Sequence, residues 1–206
     1  RIAQVTGVSK PNILIAGQHL WEYSAPVGVT FESTHVITRR EVGISPREDV
    51  KLISLEQVTE GQAISAQIGL ESINEAKPIP VNVLSSDNAF TPQIFSVASS
   101  EGLENDIVVW TSDVYPISLL NPKQYAWINL KDKKVVKKDR PLNFENWHMI
   151  TGNFTFRNCK TALSLIEELV AKNIRVNHEF YLDSLIELAF TRGMKVATLN
   201  VDNFIA

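Results

Sequence analysis

The segment from residue 51 to residue 88 most limits the folds open to this chain. Residues 51–55 alternate in polarity as a half-buried strand does. A helical pattern follows, with apolar residues at Ala63, Ala66, Leu70 and Ile73. Residues 79–85 are then β-favouring and too few for an ordinary helix, which predicts a buried strand of a parallel sheet. Strand, helix and strand in this order form the unit of parallel sheets, so the segment predicts an α/β domain.

The segments on either side extend this prediction. Strands are predicted at 12–16, 35–38 and 106–111, and a helix at 91–98. Residues 125–130, 135–138 and 148–156 are strand-like without helices between them, which indicates antiparallel additions to the sheet. Asn158 is a helix N-cap before an apolar stripe at Ala162, Leu165, Ile166, Leu169 and Val170. A helix at 179–192 that stops at Gly193 and a strand at 196–201 complete a single α/β domain over residues 1–206.

Composition excludes several classes of protein. The formal net charge of −3 provides no general basic surface for nucleic acid or an anionic membrane. No apolar run approaches the roughly 20 residues that span a bilayer. A single cysteine, Cys159, excludes an internal disulfide and is consistent with a reducing cytoplasm. The first residue is Arg1 rather than Met, from which we expect a piece of a longer protein.

One carboxylate is placed where α/β proteins bind ligands. Asp87 follows the strand at 79–85, and ligands of open α/β sheets lie outside the carboxyl ends of the strands. A carboxylate oxygen there suits a Mg²⁺ ion shared with phosphate groups. The alternative is that Asp87 caps the following helix or forms an Asx turn.

Three further features have a functional and a structural interpretation. Gly61 and Gln62 begin a helix, where backbone donors and an amide can bind a base or a phosphate, or simply start the helix. Gly152 interrupts a strand, which indicates close approach of a ligand or of another backbone. Glu179 and Asp183 are either functional carboxylates or first-turn charges favoured by the helix dipole. Neither a Gly-rich phosphate loop nor zinc-like His and Cys spacing is present in the sequence.

Taken together in this order, these segments resemble the sugar-phosphate nucleotidyltransferases, the family of glucose-1-phosphate thymidylyl- and cytidylyltransferases, over residues 51–206. Residues 59–63 are similar to the family's segment that contacts the nucleotide base. Residues 84–88 resemble the strand end whose Asp holds the catalytic Mg²⁺. Residues 125–128 with 137–141 resemble the segment that carries a sugar-phosphate-binding Lys before a Pro. Residues 150–156 and 177–184 are similar to the Gly-containing strand beside the sugar and to the segment whose Glu binds sugar hydroxyls.

The resemblance implies a fold and a set of site residues. The fold would be a three-layer α/β/α Rossmann-like (GT-A-like) domain with a mixed, mainly parallel sheet and antiparallel additions. The cofactor would be Mg²⁺, held by Asp87 and Asp202. The remaining implied roles are nucleotide binding by Gly61, Gln62 and Asp87, and sugar-phosphate binding by Gly152, Glu179 and a lysine, for which Lys138 is favoured over Lys137.

The implied reaction is transfer of a nucleotidyl group from a nucleoside triphosphate to a sugar 1-phosphate, with release of pyrophosphate, in the synthesis of surface polysaccharide precursors. The sequence lacks the family's N-terminal Gly-rich loop, so we expect weak or no turnover by this chain alone. The alternatives are a non-catalytic sugar- or nucleotide-binding relative and a GT-A-like glycosyltransferase, although the latter would be expected to show Asp-x-Asp after the strand. The tryptophans are candidate anchors for a homo-oligomeric interface or core residues: Trp21, Trp110 and Trp147.

Overall fold

The described part of the chain begins with two small strand pairs. In the computed structural model this part comprises residues 9–26, 28–74, 77–86, 88–113 and 116–201. β1 (Leu14–Ile15) and β2 (Gln18–His19) form an antiparallel hairpin, which reduces the predicted strand at 12–16 to two residues. β3 (Thr34–Arg39) and β4 (Val50–Leu55) pair in parallel, and the strands predicted at 35–38 and 51–55 are confirmed.

A six-stranded mixed sheet forms the centre of the molecule. Its strands are β5 (Val81–Val83), β6 (Ile107–Ser112), β7 (Ala126–Asn129), β8 (Lys134–Lys137), β9 (His148–Phe156) and β10 (Val196–Asn200). The order is β10-β6-β9-β7-β8, and β5 pairs with the far end of β9. β6 and β10 run parallel, and the remaining pairs in this sheet are antiparallel. The antiparallel additions predicted from residues 125–156 are confirmed.

Helices cover both faces of this sheet. They are α1 (Gln62–Glu71), α2 (Ile94–Glu104), α3 (Pro116–Leu120), α4 (Cys159–Ala171) and α5 (Ser184–Thr191). Buried residues of α1, α4 and α5 join Ile107 and Val109 of β6 in the main core. Trp110 points to the opposite face, as alternation along a strand requires, and packs there with Phe95 of α2. The predicted three-layer α/β/α architecture with a mixed sheet is therefore confirmed, but most of the described strand pairs are antiparallel rather than parallel.

Local signals explain where the helices begin. The Asn158 side chain accepts a hydrogen bond from the backbone N–H of Thr161 at 2.8 Å, which confirms it as the N-cap of α4.

Among the described residues, no helix combines the length and the apolar character that crossing a membrane requires.

Four sequence predictions are corrected by the structure. β5 is limited to three half-buried residues that follow Pro80, which has no N–H to donate to a strand ladder, and it pairs with β9 in antiparallel rather than parallel orientation. The helix predicted at 91–98 is α2, which begins at Ile94 after a turn. The helix predicted from residue 179 begins only at Ser184, because Glu179 forms a β-bridge with Val176. Val170, assigned to the buried stripe of α4, is 38% exposed.

Candidate functional site

The loop that begins α1 is joined directly to the segment that contains Glu179. The Phe180 N–H donates to the Glu60 carbonyl at 2.8 Å, and the Ala63 N–H donates to the Phe180 carbonyl at 2.9 Å. Gly61 lies between these bonds with φ +124°, and a Cβ there would be 2.6 Å from both the backbone N and the backbone O of Phe180. Glycine is therefore required at residue 61 by another backbone. The Ala63 amide, one of the donors at the start of α1, is already engaged within the chain.

Arg175 contacts both the loop before α1 and the segment that contains Glu179. Its guanidinium forms an ion pair with Glu60 and donates to the His178 carbonyl at 2.9 Å. The guanidinium carbon also lies 3.8 Å from the centroid of the Phe180 ring, a cation–π geometry. The position of Glu179 is thus fixed by contacts that span more than 100 residues of sequence.

Gln62 and Gly152, predicted on opposite sides of the substrate, lie together. The Gln62 side-chain amide donates to the Gly152 carbonyl at 3.4 Å. Gly152 has φ +83° within β9, and the nearest atom to a Cβ built there is the Gln62 Nε2, at 4.0 Å. The close approach predicted at Gly152 is not seen among the described residues, and the positive φ is what favours glycine there. Gln62 also lines a cavity of about 670 Å³.

A cation and a carboxylate both interact with Tyr181. The Lys138 Nζ is 5.3 Å from the centroid of the Tyr181 ring and donates to the Gln124 carbonyl at 2.9 Å. Burial, followed by the interaction with the Glu179 carboxylate, raises the pKa of Tyr181 to about 12. The phenol therefore remains protonated at neutral pH and serves as a hydrogen-bond donor.

The two candidate lysines have different surroundings. The Lys137 Nζ pairs with the Glu187 carboxylate of α5 and donates to the Ser184 hydroxyl at 3.3 Å. Lys138, which follows β8 with φ +52°, forms no ion pair with another described residue. Of the two lysines, only Lys137 is therefore paired with a carboxylate among the described residues.

Asp183 is a buried carboxyl at the N-terminus of α5. It is 8% exposed, and its Oδ1 has no hydrogen-bond partner among the described residues. Burial raises the pKa of Asp183 to about 6, although the charges of Lys137 and Lys138 oppose this shift. Of the two carboxylates singled out in this segment, Asp183 lies inside and Glu179 is exposed.

A buried amide network fixes the chain on both sides of residue 87. The Asn153 side chain accepts from the Ser85 N–H at 2.7 Å, and the Asn88 side chain donates to the Thr151 carbonyl at 2.8 Å. Asn153 also donates to the Thr151 hydroxyl at 2.9 Å. Both anchors are on β9, so the loop after β5 is tied to the strand that carries Gly152.

The two predicted metal ligands, Asp87 and Asp202, lie outside the described residues. Among the described residues, no three His, Cys, Asp or Glu side chains are grouped closely enough to hold a metal ion. The flanking segments are nevertheless close: Leu84, Phe90 and Val201 pack in one hydrophobic cluster on the α2 face.

Sequence reasoning did not assign roles to three residues of this region. Tyr181 is adjacent to the assigned Glu179, and Asn153 lies in the same strand as Gly152, but a single aromatic or amide carries no functional pattern. Arg175 acts through Glu60, 115 residues away in sequence. Only the tertiary fold brings these residues to the site.

Comparison with known proteins was informative for structure only. No protein-family model and no curated protein matches the chain. Solved structures do match it, at low sequence identity. A nucleoside-diphosphate-sugar pyrophosphorylase from Vibrio cholerae matches with a TM-score of 0.69 and 15% identity, over 100% of this chain and 90% of that one.

Two further structures match over nearly the whole chain. An inositol-1-phosphate CTP transferase from T. maritima has a TM-score of 0.68 and 19% identity, and the match covers 98% of this chain and 81% of that one. A 4-diphosphocytidyl-2C-methyl-D-erythritol synthase from Anaerococcus prevotii has a TM-score of 0.63 and 15% identity, with 96% and 83% covered. The chain therefore shares the α/β fold of these solved structures, which confirms the fold class that the resemblance implied.

Proposed function

We propose that this chain forms most of a nucleotidyltransferase site that joins a nucleoside monophosphate unit to a sugar 1-phosphate or a similar phosphorylated small molecule. The observation that carries the proposal is the direct contact between the predicted nucleotide side and the predicted acceptor side. A Cβ on Gly61, next to Gln62, would lie 3.1 Å from the Cβ of Glu179. The shared fold with a CTP transferase and a pyrophosphorylase supports this chemistry.

The proposed reaction is an in-line displacement at phosphorus. An oxygen of the acceptor phosphate attacks the α-phosphorus of the nucleoside triphosphate and forms a new phosphorus–oxygen bond. The bond between the α-phosphorus and the oxygen that bridges to the β-phosphorus breaks, and pyrophosphate leaves with that electron pair. No oxidation occurs, so the protein's part is to position the reactants and to neutralise charge.

Four of the site residues that the structure describes have a proposed role in this reaction. The Gln62 amide binds an edge of the nucleotide base, and Gly152 leaves room beside it for the sugar. Lys138 exchanges its bond to the Gln124 carbonyl for the acceptor phosphate. Glu179, held near Lys138 through Tyr181, accepts hydrogen bonds from the acceptor's hydroxyls.

Asp87 and Asp202 are the proposed ligands of Mg²⁺. Their carboxylate oxygens have the chemistry that Mg²⁺ prefers. Phe90 and Val201, close in sequence to these two residues, belong to one hydrophobic cluster, which supports the proposal of a shared ion. When bound, Mg²⁺ would supply positive charge to the phosphates in the transition state.

The experiment that tests this proposal compares the two neighbouring lysines. Thermal unfolding and calorimetry would be measured with nucleoside triphosphates and nucleotide sugars, each with and without Mg²⁺. We expect one nucleotide sugar to stabilise the chain in a Mg²⁺-dependent manner, by about 2.7 kcal/mol at 100 times its Kd. Lys138→Ala should weaken that binding at least tenfold. Lys137→Ala, the matched control, should lower stability by removing the Glu187 ion pair but leave affinity unchanged.

Asp87→Ala should remove the Mg²⁺ dependence. Binding of no nucleotide sugar, or equal losses in Lys137→Ala and Lys138→Ala, would refute the proposed site. We further propose that the product is a precursor of bacterial surface polysaccharides, which identification of the bound nucleotide sugar would test.

A further inference from the structure

Asp183 is a buried carboxyl that the start of α5 does not explain. It occupies the N-cap position of that helix, yet its side chain makes no capping hydrogen bond. It is 8% exposed, and its Oδ1 has no hydrogen-bond partner among the described residues. A buried carboxylate oxygen without a partner destabilises a fold, whereas a side chain that caps the helix would stabilise it. The reason for an aspartate at residue 183 therefore lies in its surroundings rather than in the helix.

The side chains around Asp183 carry charges of both signs. The ammonium charges of Lys137 and Lys138 favour its ionised form, whereas the Glu187 carboxylate, one turn further along α5, opposes it. The charge of Asp183 acts in turn on the Tyr181 phenol, in the segment before the helix. Asp183 is thus coupled to the lysine for which we propose phosphate binding.

The other elements that pack against α5 are α4 and β10, and their charges lie elsewhere. β10 contains no charged residue. Of the charged residues of α4, Glu168 is paired with Arg192 at the opposite end of α5, and Lys160 and Glu167 are exposed. The charges that act on Asp183 among the described residues therefore come from the end of β8 and from α5.

Protonation of Asp183 changes the formal charge of this site from negative to neutral. The site contains two lysines and three carboxyl side chains: Lys137, Lys138, Glu179, Asp183 and Glu187. When all three carboxyls are ionised, negative charge is in excess, which opposes the binding of an anion. When Asp183 holds a proton, the charges balance, and Lys138, which forms no ion pair with another described residue, can pair with a phosphate. A bound dianion in turn favours the protonated form of Asp183.

We propose that Asp183 is a positioning residue for the acceptor phosphate, which gains one proton when a phosphate dianion binds at Lys138 and loses it when that phosphate becomes a bridging group of the product. This role rests on the proposed function, in which Lys138 binds the acceptor phosphate. The proton comes from solvent and adds to the Asp183 carboxylate, whose Oδ1 has no partner among the described residues. A phosphate monoester carries about two negative charges at neutral pH, whereas a bridging phosphate carries a single one. The loss of that charge during the reaction returns the proton to solvent.

The test measures proton uptake without turnover. Sulfate is the probe, because it is a tetrahedral dianion like a phosphate monoester but does not titrate between about pH 5 and pH 8. Its affinity would be measured by NMR titration over that range in the unchanged chain and in Lys138→Ala, Asp183→Asn and Asp139→Asn. Asp139→Asn is the matched control, since Asp139 also adjoins Lys138 but is exposed. The titration of the Asp183 carboxyl would be followed in isotope-labelled protein with and without sulfate.

We expect bound sulfate to increase the pKa of Asp183, which burial raises to about 6 in the free protein, by at least about one pH unit. Because linkage is reciprocal, sulfate affinity should fall about tenfold from pH 5 to pH 8. In Asp183→Asn the affinity should change less than about twofold over this range, whereas Asp139→Asn should keep the tenfold decrease. Lys138→Ala should weaken sulfate binding at least about tenfold at pH 5.

The same pH dependence of affinity in Asp183→Asn as in the unchanged chain would overturn the proposal. An Asp183 pKa that does not respond to sulfate, or sulfate binding that does not require Lys138, would also overturn it. A purely structural role of Asp183 would alter stability but not the pH dependence of sulfate affinity. If nucleotide sugars still bind in a manner that depends on Lys138, the proposed reaction stands and only the role of Asp183 fails. If they do not, both proposals fail.

Discussion

Replacing Gly61 with alanine perturbs the contact on which the candidate site depends. Gly61 has φ +124° and ψ 177°, a region essentially restricted to glycine, where another residue costs on the order of 1–3 kcal/mol. The new Cβ would also overlap two backbone atoms of Phe180 at 2.6 Å. Relief of that overlap would require the loop to move away from Phe180 and to break the bonds of 2.8 and 2.9 Å. With the lower end of the strain range, about 1 kcal/mol, and about 1 kcal/mol for each of the two bonds, the loss of stability is about 3 kcal/mol as a minimum.

The assay is urea unfolding of the purified chain. With a slope of about 2 kcal/mol/M, a loss of this size lowers the midpoint by about 1.5 M at unchanged slope. Gly43→Ala is the matched control. Gly43 also has a positive φ, +65°, but nothing lies within 4 Å of a Cβ there, so it should cost only about 1 kcal/mol of left-handed strain. Equal midpoints for the two variants would refute the inference that the Phe180 backbone is the reason for glycine at residue 61.

Two further predictions concern buried polar groups. Because burial raises the pKa of Asp183 to about 6, above its unfolded value, the folded state binds the proton more tightly than the unfolded state. The contribution of Asp183 to the free energy of unfolding should therefore be fully present below about pH 4 and fall by about 3 kcal/mol as the pH rises to 6 and beyond. Asp183→Asn should remove that fall in unfolding curves recorded from pH 4 to 7. The same pH dependence in both proteins would contradict this prediction. Asn153→Ala removes the side chain that bonds the Ser85 N–H at 2.7 Å and the Thr151 hydroxyl at 2.9 Å, and it should cost about 2–3 kcal/mol. Asn158→Ala, which removes the N-cap of α4, should cost about 1 kcal/mol. A reversed order in urea unfolding would show that the Asn153 network is dispensable.

Much of the fold could be predicted from local pattern. The strands at 106–111 and 148–156 lie within one residue of β6 and β9, because runs rich in β-favouring residues are a local signal. The cap of α4 was also local, since Asn158 and the Thr161 amide are three residues apart. The local pattern does not predict which strands pair with each other. β5 was assigned to a parallel sheet, yet its neighbour is β9, more than 70 residues later, and pattern alone carries no information about that choice.

The candidate site shows the same division. The positions of Gly61, Gln62, Gly152, Lys138 and Glu179 were proposed from motifs in order along the chain, and the fold brings the segments that carry them together. For the two glycines, the structural reason for glycine differs from the one that the sequence suggested. Gly61 accommodates the backbone of Phe180, and Gly152 has a positive φ. A sequence indicates that a glycine is unusual at a position but does not identify which atoms approach it.

The sequence by itself determined the order of strands and helices, the α/β class and the identities of the polar residues at loop ends, because these depend on periodicity and capping within a few residues. The tertiary structure alone decided which edges pair, which lysine forms an ion pair with Glu187, that Lys138 and Glu179 both interact with Tyr181, and that β3 and β5 line the same groove. The physical reason is that each of these contacts joins residues tens of positions apart. Their formation depends on the packing of whole layers rather than on the preferences of any one segment.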